Sequence, residues 1–277
     1  MTFRKSTTAV WAIASLGFSL GSCAQRVEQP TLNEILQRLK ENLAHYDKDV
    51  PSFFCDEHVV SQVEADRRDR DVVTDDTFRV RRVSHPDRTT TFTESRDIKS
   101  INGKPPASQN QDINGPSLLH GAFEGGLAVV SPNQSSCMKY QLQPLNRKQP
   151  SEPYVIRFTT AFSGPAPDSC LLQEKSKGRV LIDPQSMQIR RLEITTPRHV
   201  IIPGYAPVVG RRVLTVDYAP IQLNGETIWM PSDITMSAIS GSGTFHESVW
   251  SFQATYRNYH KLEVTSHIHG GSETPIP

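Results

Sequence analysis

Trp250-Ser251-Phe252-Gln253-Ala254-Thr255-Tyr256-Arg257 alternates apolar and polar side chains without a break. Successive side chains of a strand point to opposite faces, so this period of two describes an antiparallel strand with one face in a core and one in water. Tyr154, Ile156, Phe158 and Phe162 repeat the pattern against Arg157 and Thr159, so two strands contribute aromatic rows to a common interior. The same period recurs near residues 57–65, 76–84, 89–99, 137–143, 154–162, 178–183, 188–195, 210–218, 226–239 and 247–268. Asn102-Gly103 and Asn224-Gly225 are favoured two-residue hairpin turns, and Asp183-Pro184 sets a turn with the fixed φ of proline. The expected product is an antiparallel meander in a mainly β (α+β) chain.

Ahead of the strands, Thr31-Leu32-Asn33-Glu34 forms a capping box, with Thr31 as the cap and Glu34 reaching back to it. Apolar side chains at Leu32, Ile35, Leu36, Leu39, Leu43 and Tyr46 follow the spacing of one helical face. The opposite face carries Arg38, Lys40, Glu41 and Asn42, the solvated side of a helix packed on something apolar. Residues 104–135 are rich in Pro, Gly, Asn and Ser around a predicted helix from Pro116 to Val129, which makes this stretch a loop with a helical insert. Residues 270–277 read as a frayed, disordered tail. No internal repeat and no domain boundary interrupts residues 31–269, which read as one β domain.

Composition narrows the classes of function. Only 36% of the residues are hydrophobic, a lean core, and the mean hydropathy of -0.43 excludes a polytopic membrane protein. A formal charge of +1 argues against a nucleic-acid footprint. In the first stretch, Arg4 and Lys5 precede an apolar run from Ala9 to Leu20 that is too short for a spanning helix and ends in small residues, the pattern of a secretory signal peptide over residues 1–22. Leu20-Gly21-Ser22-Cys23 resembles the lipobox of bacterial lipoproteins, which implies lipidation of Cys23 and a tether over residues 23–30. Ser22 and Ala24 equally supply the small residues of ordinary cleavage after Ala24. The address is therefore export: an outer-membrane lipoprotein facing the periplasm, with Ala24 resembling the outer-membrane sorting signal, or else a soluble periplasmic or secreted protein.

Beyond Cys23, three cysteines remain in an oxidising compartment. Cys137 and Cys170 flank two successive predicted strands and are the favoured disulfide, although Cys55 could partner either, because connectivity cannot be deduced from sequence. No C-x-x-C spacing supports a metal site.

A signal peptide, one amphipathic helix and a long run of antiparallel strands resemble the lipoprotein-localisation fold of the LolA and LolB proteins. Three hairpins carry the likeness. Gly178-Arg179-Val180-Leu181-Ile182-Asp183-Pro184 followed by Ile189-Arg190-Arg191-Leu192-Glu193 is similar to the family's central hairpin. Glu94-Ser95-Arg96-Asp97-Ile98 before Asn102-Gly103, and Val216-Asp217-Tyr218 before Asn224-Gly225, are similar to hairpins of secreted bacterial proteins of that architecture. The resemblance implies a LolA-like curved antiparallel sheet or incomplete barrel around a helical lid, with acyl chains held in an apolar cavity.

Catalytic signatures are missing: there is no G-x-S-x-G, no P-loop and no G-x-G-x-x-G, and His246-Glu247 lacks the second histidine of H-E-x-x-H. No catalytic residue, metal or cofactor is therefore assigned, and the chain is read as a non-enzyme. His267-Ile268-His269 reads as an exposed terminal pair, residues 64–71 as a solvated hairpin end, and Arg79, Arg81 and Arg82 as a compact basic patch on a polar strand face or against lipid headgroups. His120 and His199 are the histidines a hydrolase would need beside a serine, and nothing places them so. The candidate ligand surface is the pair of aromatic rows, Tyr154, Ile156 and Phe158 with Trp250, Phe252 and Tyr256, because a bent open sheet leaves a concavity that one helix does not fill. The function expected is a monomeric envelope lipoprotein that binds a lipid or an acylated protein. The alternative is an interaction scaffold with a filled core.

Overall fold

The computed structural model describes residues 29–65, 68–84, 90–107, 129–130, 134–145, 152–197, 210–240 and 247–262. One helix, α1 (Leu32–Asp49), precedes ten strands: β1 (Phe53–Ala65), β2 (Arg68–Ser84), β3 (Thr90–Ile101), β4 (Met138–Leu142), β5 (Tyr154–Thr160), β6 (Lys177–Ile182), β7 (Ile189–Pro197), β8 (Gly210–Leu223), β9 (Glu226–Ser240) and β10 (Glu247–Lys261). The fold is mainly β: among the described residues it is a ten-stranded, wholly antiparallel, open curved sheet with one helix. Every strand anticipated from the sequence is present, with β1 beginning earlier, at Phe53, β2 earlier, at Arg68, within the stretch read as a hairpin end, β8 running on to Leu223 and β10 ending at Lys261. The predicted signal peptide, Cys23, the helix predicted from Pro116 to Val129 except Val129 itself, which lies in a turn, His120, His199, His246, the terminal His267-Ile268-His269 and the tail from 270 lie outside the described residues.

The strand order is β3-β2-β1-β10-β9-β8-β7-β6-β5-β4. A simple meander would set β3 beside β4. Instead β1 pairs with β10, so β3 and β4 become the two opposite edges and residues 102–137 connect one edge to the other. Period two declares which face a side chain occupies and says nothing of which strand lies next door, so this junction is a tertiary result.

Register explains how the core is built. One lateral row runs through all ten strands as Ile101, Thr74, Val59, Ala254, Ile234, Val216, Leu192, Val180, Ile156 and Leu142. All but the two edge residues are completely buried. The next row passes from Phe252 through Met236, Leu214, Ile194 and Gly178 to Phe158. The two aromatic stretches thus share one face, five strand spacings of about 4.8 Å apart along the sheet. Gly178 is required in that row. A Cβ there would come within 3.0 Å of both the Glu193 carbonyl oxygen and the Phe158 ring, so the missing side chain is the space the ring occupies.

Turns form as their chemistry dictates. Asn102, Gly103, Asn224 and Gly225 all take positive φ, as the tight hairpin turns require. Asp183 organises the β6–β7 turn, its Oδ2 accepting from Ser186 N at 2.8 Å and Ser186 Oγ at 2.9 Å. Cys137 and Cys170 are joined, with Cα atoms 5.7 Å apart, and Cys55 is a buried free thiol.

Candidate functional site

The inner face of the sheet, with α1 laid across one end of it, is the candidate site. The capping box is formed as the sequence implies: Thr31 Oγ1 accepts from Glu34 N at 3.3 Å, while Glu34 Oε2 accepts from Thr31 N at 2.7 Å and from Thr31 Oγ1 at 2.9 Å, and the two bonds to its carboxylate lower the Glu34 pKa. Pro51 follows Val50, which is extended, and so ends the helix. Ile35 and Leu39 are buried, and Leu32, Leu36, Leu43 and Tyr46 pack on the same core. That pattern is the apolar stripe read from the sequence, now facing the sheet.

Polar ties between helix and sheet come from side chains that reach backbone atoms. Gln29, just before the helix, donates to Gln143 O at 3.1 Å and accepts from Leu145 N at 3.2 Å beside edge strand β4. Asn42 Nδ2 donates to Met187 O at 2.7 Å in the β6–β7 turn. Arg82 Nη1 donates to Lys48 O at 2.6 Å and Val50 O at 3.1 Å, occupying carbonyls that the helix end leaves unpaired. Of the basic patch, Arg82 is thus a cap for α1, and Arg79 pairs with Asp97 at 3.2 Å.

Beneath the helix, Leu39, Leu43, Tyr46, Ile189, Tyr218 and Trp229 enclose a hollow of about 20 Å³. The Tyr218 hydroxyl is buried and has no hydrogen-bond partner among the described residues, and burial drives its pKa upward. Alongside, a wider hollow of about 220 Å³ opens between the second half of α1 and the β8–β9 hairpin, where Ile228 and Trp229 meet Asp49, His45 and Glu226. These two spaces share Asn42, Tyr46, Gln188 and Trp229.

All six residues of the aromatic rows, Tyr154, Ile156, Phe158, Trp250, Phe252 and Tyr256, are buried in the core. Tyr256 packs on Phe78 with ring centroids 5.5 Å apart. The Trp250 indole N–H has no acceptor among the described residues.

Sequence reasoning missed a buried polar cluster on the β1–β3 half of the same face. Arg96 forks onto Glu57, with Nε at 2.6 Å from Oε2 and Nη2 at 3.0 Å from Oε1, and its guanidinium lies 4.6 Å over the Phe78 ring. Burial opposes the Arg96 charge, but the Glu57 bonds and charge outweigh it and raise the Arg96 pKa. Asp76 is directly opposite Glu57 in the β1–β2 register. Burial first, and then the Glu57 charge, push the Asp76 carboxyl up to about 7. The signal was available in the period: Cys55, Glu57 and Val59 have one parity, as do Thr74, Asp76 and Phe78. No group of three or more His, Cys, Asp or Glu side chains among the described residues is arranged to hold a metal.

Comparison with known proteins concerns this fold alone. No protein-family model and no curated protein matches the chain. The chain is similar to solved structures of the LolA superfamily. One, a LolA superfamily protein from Nitrosomonas europaea, is 13% identical with a TM-score of 0.36, over 86% of this chain and 96% of that one. A domain from Vibrio parahaemolyticus, named for outer-membrane lipoprotein sorting, is 11% identical with a TM-score of 0.38, over 87% and 95%. A DUF1329 family protein from Desulfovibrio piger is 8% identical with a TM-score of 0.37, over 84% and 92%.

Proposed function

We propose that the chain is an exported, non-catalytic envelope protein that binds a hydrophobic ligand, a lipid or the acylated part of another envelope component, on the inner face of its sheet beneath α1. The observation that carries this reading is the seam between helix and sheet. Its centre is apolar, built on Ile35, Leu39, Leu43 and Tyr46, it is crossed by a few side-chain-to-backbone hydrogen bonds, and it opens on the hollow beside Trp229, where Asn42, His45, Asp49 and Glu226 make the rim polar. Movement of α1 would uncover the row from Ile189 to Tyr218. Deeper entry would bring a chain against the aromatic rows, Tyr154, Ile156 and Phe158 on one side and Trp250, Phe252 and Tyr256 on the other. Burial worth about 0.8 kcal/mol per methylene would hold it there without chemistry. The leader pattern of residues 1–22 and the lipobox-like Cys23 support action at the outer membrane, where a tethered protein would act locally, as an acceptor rather than a shuttle.

A second reading, a scaffold with a filled core, is favoured by the size of the space directly beneath the helix. About 20 Å³ holds one water and no alkyl chain. Native mass spectrometry of the full chain, expressed with its leader in a Gram-negative host and extracted from the envelope, separates the two. A stoichiometric lipid adduct, identified after denaturing extraction, is the expected result. A clean apo mass that persists after incubation with lipid overturns ligand binding and leaves the scaffold.

A further inference from the structure

The outer face of the sheet carries a feature that the concavity does not need. Two adjoining hollows, of about 400 Å³ and 360 Å³, lie over β4–β7 and share Thr159 and Lys177. Their cations are Lys139, Arg157, Lys175, Lys177 and Arg179, and the only carboxylate among their lining residues is Glu193. Arg179 spends its charge on Glu193, with bonds of 2.6 and 2.8 Å. Arg157 lies against a neutral group instead, the Gln143 carboxamide, whose oxygen, once the amide is turned toward the guanidinium, accepts from Nε at 2.5 Å and Nη2 at 2.8 Å. Among the described residues no carboxylate pairs with Arg157, Lys139, Lys175 or Lys177.

Register makes this arrangement costly. Arg157 is directly opposite Arg179, and like charges facing each other across a strand pair destabilise a sheet. The same face shows how such a conflict is ordinarily resolved. Asp217 faces Asp233, and there Arg191 forks onto Asp217 at 2.6 and 2.7 Å. Glu193 does the same for Arg179, but it is one carboxylate among five cations and leaves Arg157 facing Arg179 with no carboxylate of its own, while Thr159 adds a hydroxyl between Lys139 and Lys177 in the adjoining row. Four cations, Lys139, Arg157, Lys175 and Lys177, are left over two adjoining hollows, a surface suited to an anion. Guanidinium forks match phosphate oxygens in pairs, and flanking ammonium groups supply further charge.

We propose that this basic double hollow on the outer face of β4–β7 binds a multiply charged phosphate group, carried by an anionic lipid headgroup or by a soluble phosphorylated molecule. The site lies on the opposite face from the concavity and stands independently of whether that concavity takes a ligand.

The test is calorimetric titration of the full chain in nonionic detergent with two probes. One is inositol hexakisphosphate, and the other is phosphatidic acid mixed into the micelles, with phosphatidylcholine as its blank. Saturable binding to at least one probe, weakened by salt, is expected. R157Q/K177Q should lose at least about tenfold in affinity, since each charge-assisted bond removed is worth that much. K99Q, whose lysine pairs with Asp56 at the far side of the sheet, should bind as the unmodified chain does. The double variant should melt no lower than the unmodified chain, because it relieves a repulsion, and this separates a binding role from a structural one. Binding to the soluble probe alone identifies a soluble phosphorylated ligand, whereas binding that needs phosphatidic acid identifies a membrane surface. Failure to bind either probe, or unchanged binding by R157Q/K177Q, overturns the proposal.

Discussion

Arg96 reaches across β2 to Glu57, two strands away, and the pair is sealed from water: the side chains retain 4% and 0% of their exposure. A buried ion pair adds little net stability over apolar residues of similar shape, but breaking one leaves an uncompensated charge in the core. Arg96→Met should therefore cost about 3–5 kcal/mol in urea denaturation. The double variant Glu57→Met/Arg96→Met should recover most of that loss. A single variant within about 1 kcal/mol of the unmodified chain would show that the pair is not sealed as described.

Asp76 makes the same half of the sheet pH-sensitive. Its carboxyl is faced by Glu57 from β1 and Arg96 from β3, with Asp75 beside it on β2; its Oδ2 accepts from Thr74 Oγ1 at 3.2 Å and its Oδ1 has no hydrogen-bond partner among the described residues. An unfolded aspartate titrates near 3.9, whereas here the folded value is about 7, so between those values the native state holds the extra proton. The contribution of Asp76 is then most favourable below about pH 4 and is lost as pH rises through about 7, by at most about 4 kcal/mol. Asp76→Asn should flatten this part of the stability profile and raise the melting temperature at pH 8 relative to the unmodified chain. A variant profile that keeps the same slope between pH 4 and 7 would assign the effect elsewhere.

What could be read ahead of the structure was local. Alternation from Trp250 to Tyr256, the Thr31–Glu34 cap and the two Asn-Gly turns each declare themselves within a few residues, because dihedral preference and side-chain parity act over that range. Pairing of β1 with β10 does not, since Val59 and Ala254 are neighbours only once the sheet has curved. Glu57 and Asp76 have the parity of the core, yet a pattern that counts charge as outward hides them. The facing of Arg157 and Arg179 is a matter of register and is visible in neither strand alone.

Gly178 shows how tightly one row is specified. Adding a methyl group sets it against a backbone carbonyl as well as the Phe158 ring. Gly178→Ala should cost about 2–4 kcal/mol in thermal or urea denaturation, near the upper range for overpacking, because a carbonyl yields less readily than a side chain. Phe158→Ala should cost about 3–5 kcal/mol through the cavity it leaves. The combination should not return to the unmodified stability, because the Glu193 carbonyl remains in the way. Full rescue would mean that the ring alone excludes a side chain at 178.

The cysteines separate into structural and inert. The Cys137–Cys170 bridge spans 33 residues, a loop length for which chain entropy predicts about 3–4 kcal/mol. Cys137→Ala/Cys170→Ala should be destabilised by that order. Cys55 is buried, and desolvation followed by the Glu57 and Asp56 charges pushes its thiol well up, so little reactive thiolate forms. Peptide mapping after alkylation should find Cys55 unlabelled in the folded protein and labelled on unfolding. Rapid native labelling at neutral pH would contradict the burial.

The last prediction concerns the end of α1. Arg82 satisfies the carbonyls of Lys48 and Val50, and so it joins the helix C-terminus to β2 where no glycine cap does so. Arg82→Met keeps the length of the side chain and removes both hydrogen bonds. Amide hydrogen exchange should then rise in the last turn of α1, residues 46–50, and leave the Thr31 capping box at the other end unchanged. Overall stability should fall by about 1–3 kcal/mol, the ordinary worth of bonds from a charged donor. If α1 is a lid, the same variant should release bound lipid faster without altering the residues the lipid touches, because the helix hinges from its β2 end. Unchanged exchange at 46–50 would show that apolar packing of Leu39, Leu43 and Tyr46 holds the helix without help, and the seam would then open elsewhere, at Asn42 or at Gln29.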